Sequence, residues 1–438
     1  MRQFIIGAAV ALAAVPAAAQ EAAVPAAAQE FDWRKHEGET INVMLNNLAW
    51  TQLMRDRIDA FTEATGIRVR AETFSEEQYR TRLTTLLQGG SSELDVFMTL
   101  PSREAPLFQA NGWYADLTPL LQGEATDPAY DYDDFSAALR QSGVVGEAIT
   151  SVPINVEGPL FYWRRDIFET CNVEKPEYLE DLPAAAEKIR ACDSAITPWA
   201  ARGLRGTVGY PLGAFVYNMG GDFMDEGGKA SLCLPGTIKG LDLYGSMLRD
   251  YGPPGATNHT FTQVMDLLGQ GRVAMTNESS NEFSTLMKHE GRAEDIGVDV
   301  LPGGRESGIS KPVVINWSLA VSGLSENKEA AWYFVQWATG AENQEELATQ
   351  GIAPSRVSVF NGEGFRNWAS ESRPRGEWLE ALLEISQTGS SLYQTPSLTR
   401  TPEAREILSN VVQQIVLGQA DAETAACAVT EQVQALQD

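Results

Sequence analysis

Segments with the apolar pattern of strands alternate with segments of helical spacing from residue 40 onward. The run TINVML at Thr40–Leu45 is typical of a strand, and Thr51–Thr65 carries its apolar residues at helical spacing. Ile67–Ala71 and Leu94–Met98 predict two further strands, and Glu76–Gln88 predicts a helix between them. Strands separated by helices of this length are typical of a sheet with mainly parallel strands. We therefore predict an α/β fold.

The second half of the chain shows the same alternation. Further strands are predicted at Ser151–Asn155, Pro159–Arg165, Val273–Thr276, Ile296–Leu301 and Val313–Val321. Further helices are predicted at Ser102–Ala110, Leu182–Ala191, Thr237–Asp250, Thr262–Gly269 and Ser325–Thr339, and two more after Thr401 and Asp421. The chain has 438 residues, more than a single hydrophobic core usually supports. Two lobes are therefore expected.

The first residues have the pattern of a signal peptide. Arg2 precedes a short apolar stretch, Phe4–Val15, and Ala17–Ala19 supplies the small residues that signal peptidase accepts. The predicted peptide is 1–19, with an alternative cleavage after Ala28, because the string AAVPAAAQE occurs twice in tandem. The apolar stretch is shorter than the ~20 residues that a spanning helix needs. We expect a secreted, periplasmic protein without membrane insertion.

The charge balance argues against several classes of partner. Lys and Arg total 33 against 59 for Asp and Glu, which gives a net charge of −26. Nucleic acid and anionic lipid would be repelled by such a surface. The acidic residues are spread along the chain, so no metal site is predicted. No cofactor is expected either.

Four cysteines in an exported chain favour disulfides. They lack the close pairs that zinc ligands show. Cys171 and Cys192 flank one predicted helical segment and form the preferred bridge, which leaves Cys233 with Cys427. Four cysteines allow three pairings, and the sequence alone leaves them open.

Five stretches occur in an order that resembles the family 1 extracellular solute-binding proteins of ABC importers, the maltose-binding-like class. They are ELDVFMTLPSREAPLFQANGWYADLTPLL (Glu93–Leu121), SVPINVEGPLFYWRRDIFE (Ser151–Glu169), GRVAMTNESS (Gly271–Ser280), INWSLAVSGLSENKEAAWYFVQWATGAENQ (Ile315–Gln344) and GIAPSRVSVF (Gly351–Phe360). The resemblance implies a hinged clamp, type II, in which three chain crossings join two lobes. It places 38–150 and 312–356 in the N-terminal lobe, and 151–311 and 357–438 in the C-terminal lobe.

The resemblance also implies a function. A member of this class, expected to be a monomer, closes on one sugar, polyol or related hydroxylated solute and delivers it to membrane permease subunits. Within the family, EEQYRTRLTTLLQGG and RDYGPPGAT (Arg249–Thr257) are similar to sorbitol and mannitol binders. This chain departs from those binders at Gly209–Gly213 (GYPLG), where they carry polar ligand residues.

A hydroxylated solute needs aromatic faces for its C–H surface and planar polar groups for its hydroxyls. The candidate ligand-binding residues are Asn46, Asn47, Trp50, Pro101, Ser102, Glu157, Arg205, Tyr210, Asn277, Glu278, Asn316 and Trp317. The resemblance aligns Glu157 and Glu278 with ligand acids and Trp317 with a stacking aromatic. Each has a structural alternative: turn chemistry for the asparagines, an ion pair for the acids and core packing for the tryptophans.

A secreted carbohydrate-active enzyme is the alternative function. Glu157 and Glu278 could serve as the paired acids of glycoside hydrolysis. The chain has three histidines and contains neither an HExxH motif nor a GxSxG elbow. The order of segments favours the transport clamp, and no catalytic residue is predicted.

Overall fold

Two open sheets organise the molecule. The structure, a computed structural model, describes residues 31–289, 292–390, 396, 398 and 400–437. Its strands are β1 Thr40–Asn46, β2 Arg68–Phe74, β3 Val96–Thr99, β4 Val144–Val145, β5 Ala148–Ile149, β6 Val152–Pro153, β7 Pro159–Arg164, β8 Thr197–Ala200, β9 Val273–Ser279, β10 Ile296–Val300 and β11 Ser318–Val321. The chain from Trp33 onward forms one compact unit.

Helices fill the connections between these strands. Those up to residue 218 are α1 Ala49–Arg55, α2 Ile58–Thr65, α3 Glu76–Gln88, α4 Pro101–Ala110, α5 Thr118–Gln122, α6 Ala137–Ser142, α7 Arg165–Thr170, α8 Leu182–Cys192 and α9 Gly209–Asn218. Those that follow are α10 Pro235–Tyr251, α11 Phe261–Gly269, α12 Phe283–Met287, α13 Lys328–Ala338, α14 Ala341–Ala348, α15 Val357–Asn361, α16 Glu363–Ser370, α17 Arg373–Thr388, α18 Thr401–Val416 and α19 Ala422–Gln434.

The strand order within each sheet shows that both sheets are mixed. The first sheet has the order β2-β1-β3-β11-β6, and the second has the order β10-β7-β9-β8. β1 pairs in parallel with β2 and β3, but β11 is antiparallel to both β3 and β6. β7 is antiparallel to β9 and β10, and β8 is parallel to β9. The α/β class is confirmed. The expectation of mainly parallel strands is wrong, because β11 runs antiparallel to both of its neighbours in the first sheet and β7 does so in the second.

Three segments that join the sheets pair with one another. The Glu157 N–H donates to the Ile315 carbonyl at 2.8 Å, and the Ile315 N–H donates back to Glu157 at 2.7 Å. The Val156 N–H donates to the carbonyl of Ala353 at 3.0 Å. A Cβ at Gly158 would lie 2.3 Å from the Val313 carbonyl oxygen, so the backbones approach closely only with glycine there. Hydrogen bonds between the crossings thus hold the residues at the centre of the molecule in register.

Several predicted elements have different bounds in the structure. The helix predicted over Thr51–Thr65 is two helices, α1 and α2, with a break at residues 56–57. The strands predicted at Ser151–Asn155 and Val313–Val321 shrink to β6 and β11, because their remaining residues form the crossings. Ser325 does not cap α13; its hydroxyl donates to Asp95 at 2.6 Å instead.

Both disulfides form as the preferred pairing predicted. Cys171 bonds to Cys192 across 21 residues of sequence, and Cys233 bonds to Cys427 across 194. The second bridge ties α19, near the C-terminus, to the turn before α10. Both bridges therefore lie on the side of the second sheet.

The predicted signal peptide 1–19 and the alternative cleavage after residue 28 lie outside the described residues. In the part of the chain that the structure does describe, every helix is too short or too polar to cross a bilayer.

Candidate ligand-binding site

A cleft lies between the two sheets, where the crossings meet. Its lining combines aromatic, amide, hydroxyl, carboxylate and guanidinium side chains. The lining residues are Leu48, Ala49, Trp50, Glu76, Leu100, Asn155, Glu157, Arg202, Tyr210, Phe261, Ser279, Asn281, Glu282, Ile315, Trp317 and Arg405.

Trp317 lines one wall of the cleft, and Arg80 packs on its ring. The Arg80 guanidinium lies over the Trp317 ring, 5.1 Å from its centroid, and donates to Glu76 at 2.7 Å. Arg80 also pairs with Glu104, whose second oxygen accepts from the Thr99 hydroxyl at 3.0 Å. Burial alone would raise the pKa of Glu76, but Arg80 and neighbouring arginines lower that pKa to about 2. This wall therefore presents the aromatic ring of Trp317, and the charges of Arg80, Glu76 and Glu104 beside it are paired with one another.

Arg202 and Glu278 form a buried ion pair on the opposite wall. The Arg202 Nε lies 3.0 Å from each Glu278 oxygen, and its side chain is also stacked on Tyr210, 4.3 Å from the ring centroid. Phe261 lies on the guanidinium as well, at 5.2 Å. Burial would lower the pKa of Arg202, but Glu278 raises it above its ordinary value. Arg202 is thus a fixed cation held between aromatic rings.

Glu157 ends the first crossing and lies at the floor of the cleft. Its carboxylate accepts from the Ser279 hydroxyl at 2.9 Å and from the Asn281 amide at 2.8 Å. Asn155 orients the facing crossing by accepting from the Trp317 N–H at 2.8 Å. Burial raises the pKa of Glu157, an effect that the Ser279 hydrogen bond and Arg202 reduce in part. A carboxylate held in this way can accept further hydrogen bonds from ligand hydroxyls.

Glu282 is a second cleft carboxyl with few partners. Its side chain accepts from the Thr285 hydroxyl at 3.1 Å, and the residue is 7% exposed. Burial, together with the charge of Glu278, raises the pKa of Glu282 to about 7. Near neutral pH this group can therefore either donate or accept a hydrogen bond.

Part of the predicted set meets in the cleft. Trp50, Glu157, Tyr210 and Trp317 all line it. Glu278 does not line the cleft itself. It lies next to the lining residue Arg202, whose guanidinium binds both of its carboxylate oxygens. A carboxylate fixed in this way is poorly placed to transfer a proton to a glycosidic oxygen.

The other predicted residues lie away from the cleft lining. Arg205 is 55% exposed at its side chain and lies 3.8 Å from Glu406, so Arg202 takes the position that we predicted for Arg205. Asn47 is exposed, and Asn316 bonds to Ser318 and Ser142, both at 2.8 Å. The remaining four do not line the cleft either. Asn46 ends β1, Asn277 lies within β9, and Pro101 and Ser102 begin α4.

Sequence reasoning missed several lining groups. Arg202 lies two residues after β8, and Glu282 lies three residues after β9, so each follows a strand end where ligand contacts are expected. Glu76 is the first residue of α3. Its stretch is similar to polyol binders, but nothing in the sequence distinguishes Glu76 itself as a site residue. Arg405 lies within α18, where the sequence indicates merely an amphipathic helix.

The comparisons with known proteins agree with this architecture. The family described as bacterial extracellular solute-binding protein matches residues 46–345, more than half of the chain. The chain belongs to this family. It is therefore a solute-binding component of an ABC importer and not an enzyme, as the order of segments predicted.

Two relatives and one solved structure are similar along most of their length. An erythritol/L-threitol-binding protein of Mycolicibacterium smegmatis is 27% identical, over 82% of this chain and 78% of that protein. A mannitol-binding protein of Pseudomonas aeruginosa is 28% identical, over 77% and 78%. A solute-binding protein of Agrobacterium radiobacter K84 in complex with ribitol superposes with a TM-score of 0.83 at 22% identity, covering 91% of this chain and 99% of that one. The two-lobed fold is thereby confirmed.

Proposed function

We propose that this protein captures one small polyol, sugar or related hydroxylated solute in its cleft and delivers it to a membrane permease from the periplasm. The observation that carries the proposal is that Trp317 and Glu157 line the same cleft. The aromatic ring supplies a face for C–H groups, and the carboxylate accepts from hydroxyls. The relatives named for erythritol, threitol and mannitol support the same class of ligand.

The clamp mechanism follows from the crossings. We propose that 38–150 and 312–356 form one lobe and that 151–311 and 357–438 form the other. We also propose that the protein acts as a monomer. Helix α4 belongs to the first of these lobes and α18 to the second, and the two helices contact each other. Closing about the crossings would bring such opposing groups onto the solute, and the closed pair of lobes would form the surface that the permease recognises.

A thermal-shift screen against alditols, monosaccharides and disaccharides tests this function. A solute that binds only the folded protein, at ~100 times its dissociation constant, adds roughly 2.7 kcal/mol of stability, which a melting curve resolves. We expect selective shifts with small polyols or monosaccharides, and we expect the compound to be recovered unchanged. The absence of any shift, or breakdown of the compound, would contradict the proposal.

A further inference from the structure

Glu282 is a buried carboxyl that lines the cleft without a cation of its own. The residue is 7% exposed, and it follows β9 at the start of α12. Among the described residues its carboxyl accepts one hydrogen bond, from the Thr285 hydroxyl at 3.1 Å, and takes part in no ion pair. An ionised carboxylate with a single hydroxyl donor is costly to bury. This position therefore favours the neutral, protonated acid.

Three buried carboxyls share one guanidinium in this part of the cleft. Arg202 binds Glu278, with its Nε 3.0 Å from each carboxylate oxygen. Glu157 and Glu282 line the cleft beside this ion pair, and neither forms an ion pair of its own among the described residues. Burial and then the charge of Glu278 raise the pKa of Glu282 to about 7, although Arg202 lowers it in part. The charge of Glu157 adds to the repulsion.

Other titratable groups face Glu282 or share the cleft with it. Tyr162 in β7 stays protonated, because burial and the charge of Glu282 raise its pKa well above the ordinary value. Glu76 in α3 stays ionised, since its pKa is about 2. Burial raises the pKa of Glu157, and it lowers the pKa of Arg405 in α18. Glu282→Gln removes one titration and leaves these four in place, so a comparison with that variant isolates Glu282.

The wall around Glu282 also needs a donor for ligand oxygens. The amide nitrogen of Asn281 donates to Glu157 at 2.8 Å, and its amide oxygen is buried without a hydrogen-bond partner among the described residues. Both Asn281 and Glu157 can therefore accept from ligand hydroxyls. A hydroxyl that donates its one proton to either group still has lone pairs to satisfy. Protonated Glu282 can donate to such an oxygen, whereas its ionised form would be one more acceptor.

We propose that the protein binds its solute with Glu282 protonated, the acid donating a hydrogen bond to a hydroxyl oxygen of the ligand, so that capture takes up a proton above neutral pH. This inference rests on the proposed function and adds a dependence on pH to it. A solute that displaces water from beside Glu282 further disfavours the charged form. Only the protonated fraction of the free protein is then competent to bind, and the apparent dissociation constant rises as that fraction falls.

Calorimetric titration with erythritol, ribitol and mannitol at pH 6 and pH 8 tests this inference, because these alditols do not titrate in that range. With a pKa of about 7 for Glu282, the wild type should bind its tightest alditol roughly 10-fold more weakly at pH 8 than at pH 6. The ratio of the two dissociation constants should be roughly 10-fold smaller in Glu282→Gln, whose amide can donate but cannot ionise. The control Glu147→Gln, at an exposed position, should keep the wild-type ratio.

Wild-type protein supplies a second test that requires no variant to fold. Titrations at pH 7.5 in two buffers of different ionisation enthalpy report the protons exchanged on binding. We expect an uptake of roughly 0.7 to 0.8 proton per ligand at this pH and close to none at pH 5.5. Binding that is equally tight or tighter at pH 8, release of protons, or an unchanged ratio in Glu282→Gln would overturn this inference and leave the proposed function intact. Failure of alditols, monosaccharides and disaccharides to bind even at pH 6 would overturn the proposed function, and this inference with it.

Discussion

The buried carboxyl of Glu282 predicts that the protein without ligand loses stability as the pH rises. The pKa of this group is about 7 in the folded protein against 4.5 for an ordinary glutamate, because burial and Glu278 disfavour its charged form. The folded state therefore holds a proton that the unfolded state has released. Between these two pKa values the folded protein binds more protons, so its stability must fall as the pH rises through this window.

The size of this effect follows from the same two values. Each tenfold difference in ionisation constant corresponds to about 1.4 kcal/mol, so the full interval costs roughly 3 kcal/mol above pH 7. Most of this cost develops between pH 5 and pH 8. Glu282→Gln keeps the shape of the protonated side chain and cannot ionise. Relative to this variant, the wild type should therefore lose about 2 to 3 kcal/mol of unfolding free energy between pH 5 and pH 8.

Urea unfolding of both proteins at pH 5, 6, 7 and 8 measures this difference. Subtracting the variant from the wild type removes the contribution of groups that titrate equally in both. Glu147→Gln, at an exposed position in the hairpin between β4 and β5, is the matched control and should follow the wild type at every pH. Parallel curves for the wild type and Glu282→Gln would refute the reasoning, because they would mean that Glu282 does not titrate in this window.

Three further results are expected. Arg202→Met should destabilise the protein by ~3 to 5 kcal/mol in urea, because Glu278 is left buried without its cation, and adding Glu278→Leu should recover much of that loss; an additive double variant would contradict the pairing. Trp317→Ala should weaken the best ligand of the thermal-shift screen at least ~10-fold by calorimetry, whereas Trp337→Ala, which removes a ring packed on Phe61, should leave affinity unchanged; equal affinities would remove Trp317 from the site. Serine replacement of Cys233 and Cys427 should lower the unfolding free energy by about 5 kcal/mol and that of Cys171 and Cys192 by about 3, since the Cys233–Cys427 bridge closes the longer loop; the reverse order in urea would count against the loop-entropy argument.

Local patterns in the sequence predicted much of the fold. The bounds of α3 match the prediction at both ends, and β7 and α8 match within one residue, because apolar spacing and end signals agree there. Such local patterns do not show which distant segments pair with each other, or in which direction. The direction of β11 depends on its neighbours β3 and β6, which lie 150 residues or more away along the chain.

Four of the predicted site residues, Trp50, Glu157, Tyr210 and Trp317, line the cleft. Glu157 and Trp317 belong to the crossings that carry the family resemblance, and both line the cleft. The resemblance to related binders favours Arg205 over Arg202, although the two differ by less than one helical turn. Backbone direction after β8 decides which arginine faces the cleft, and side-chain spacing cannot predict that direction. Arg405 enters from α18, a helix that packing against α10, α19, α9 and α4 brings to the site.

The position of β11 also governs when this protein can fold. β11 lies between β3 and β6, and it is the partner that joins β6 to the first sheet. A nascent chain has made all but one strand of that sheet by residue 153, yet it cannot complete the sheet until residue 321 has been synthesised. Domains generally form as units while the chain emerges, N-terminal part first. Here the first lobe must wait for most of the second, and for a chain that we propose to be exported this delay would favour passage through a translocation channel before folding.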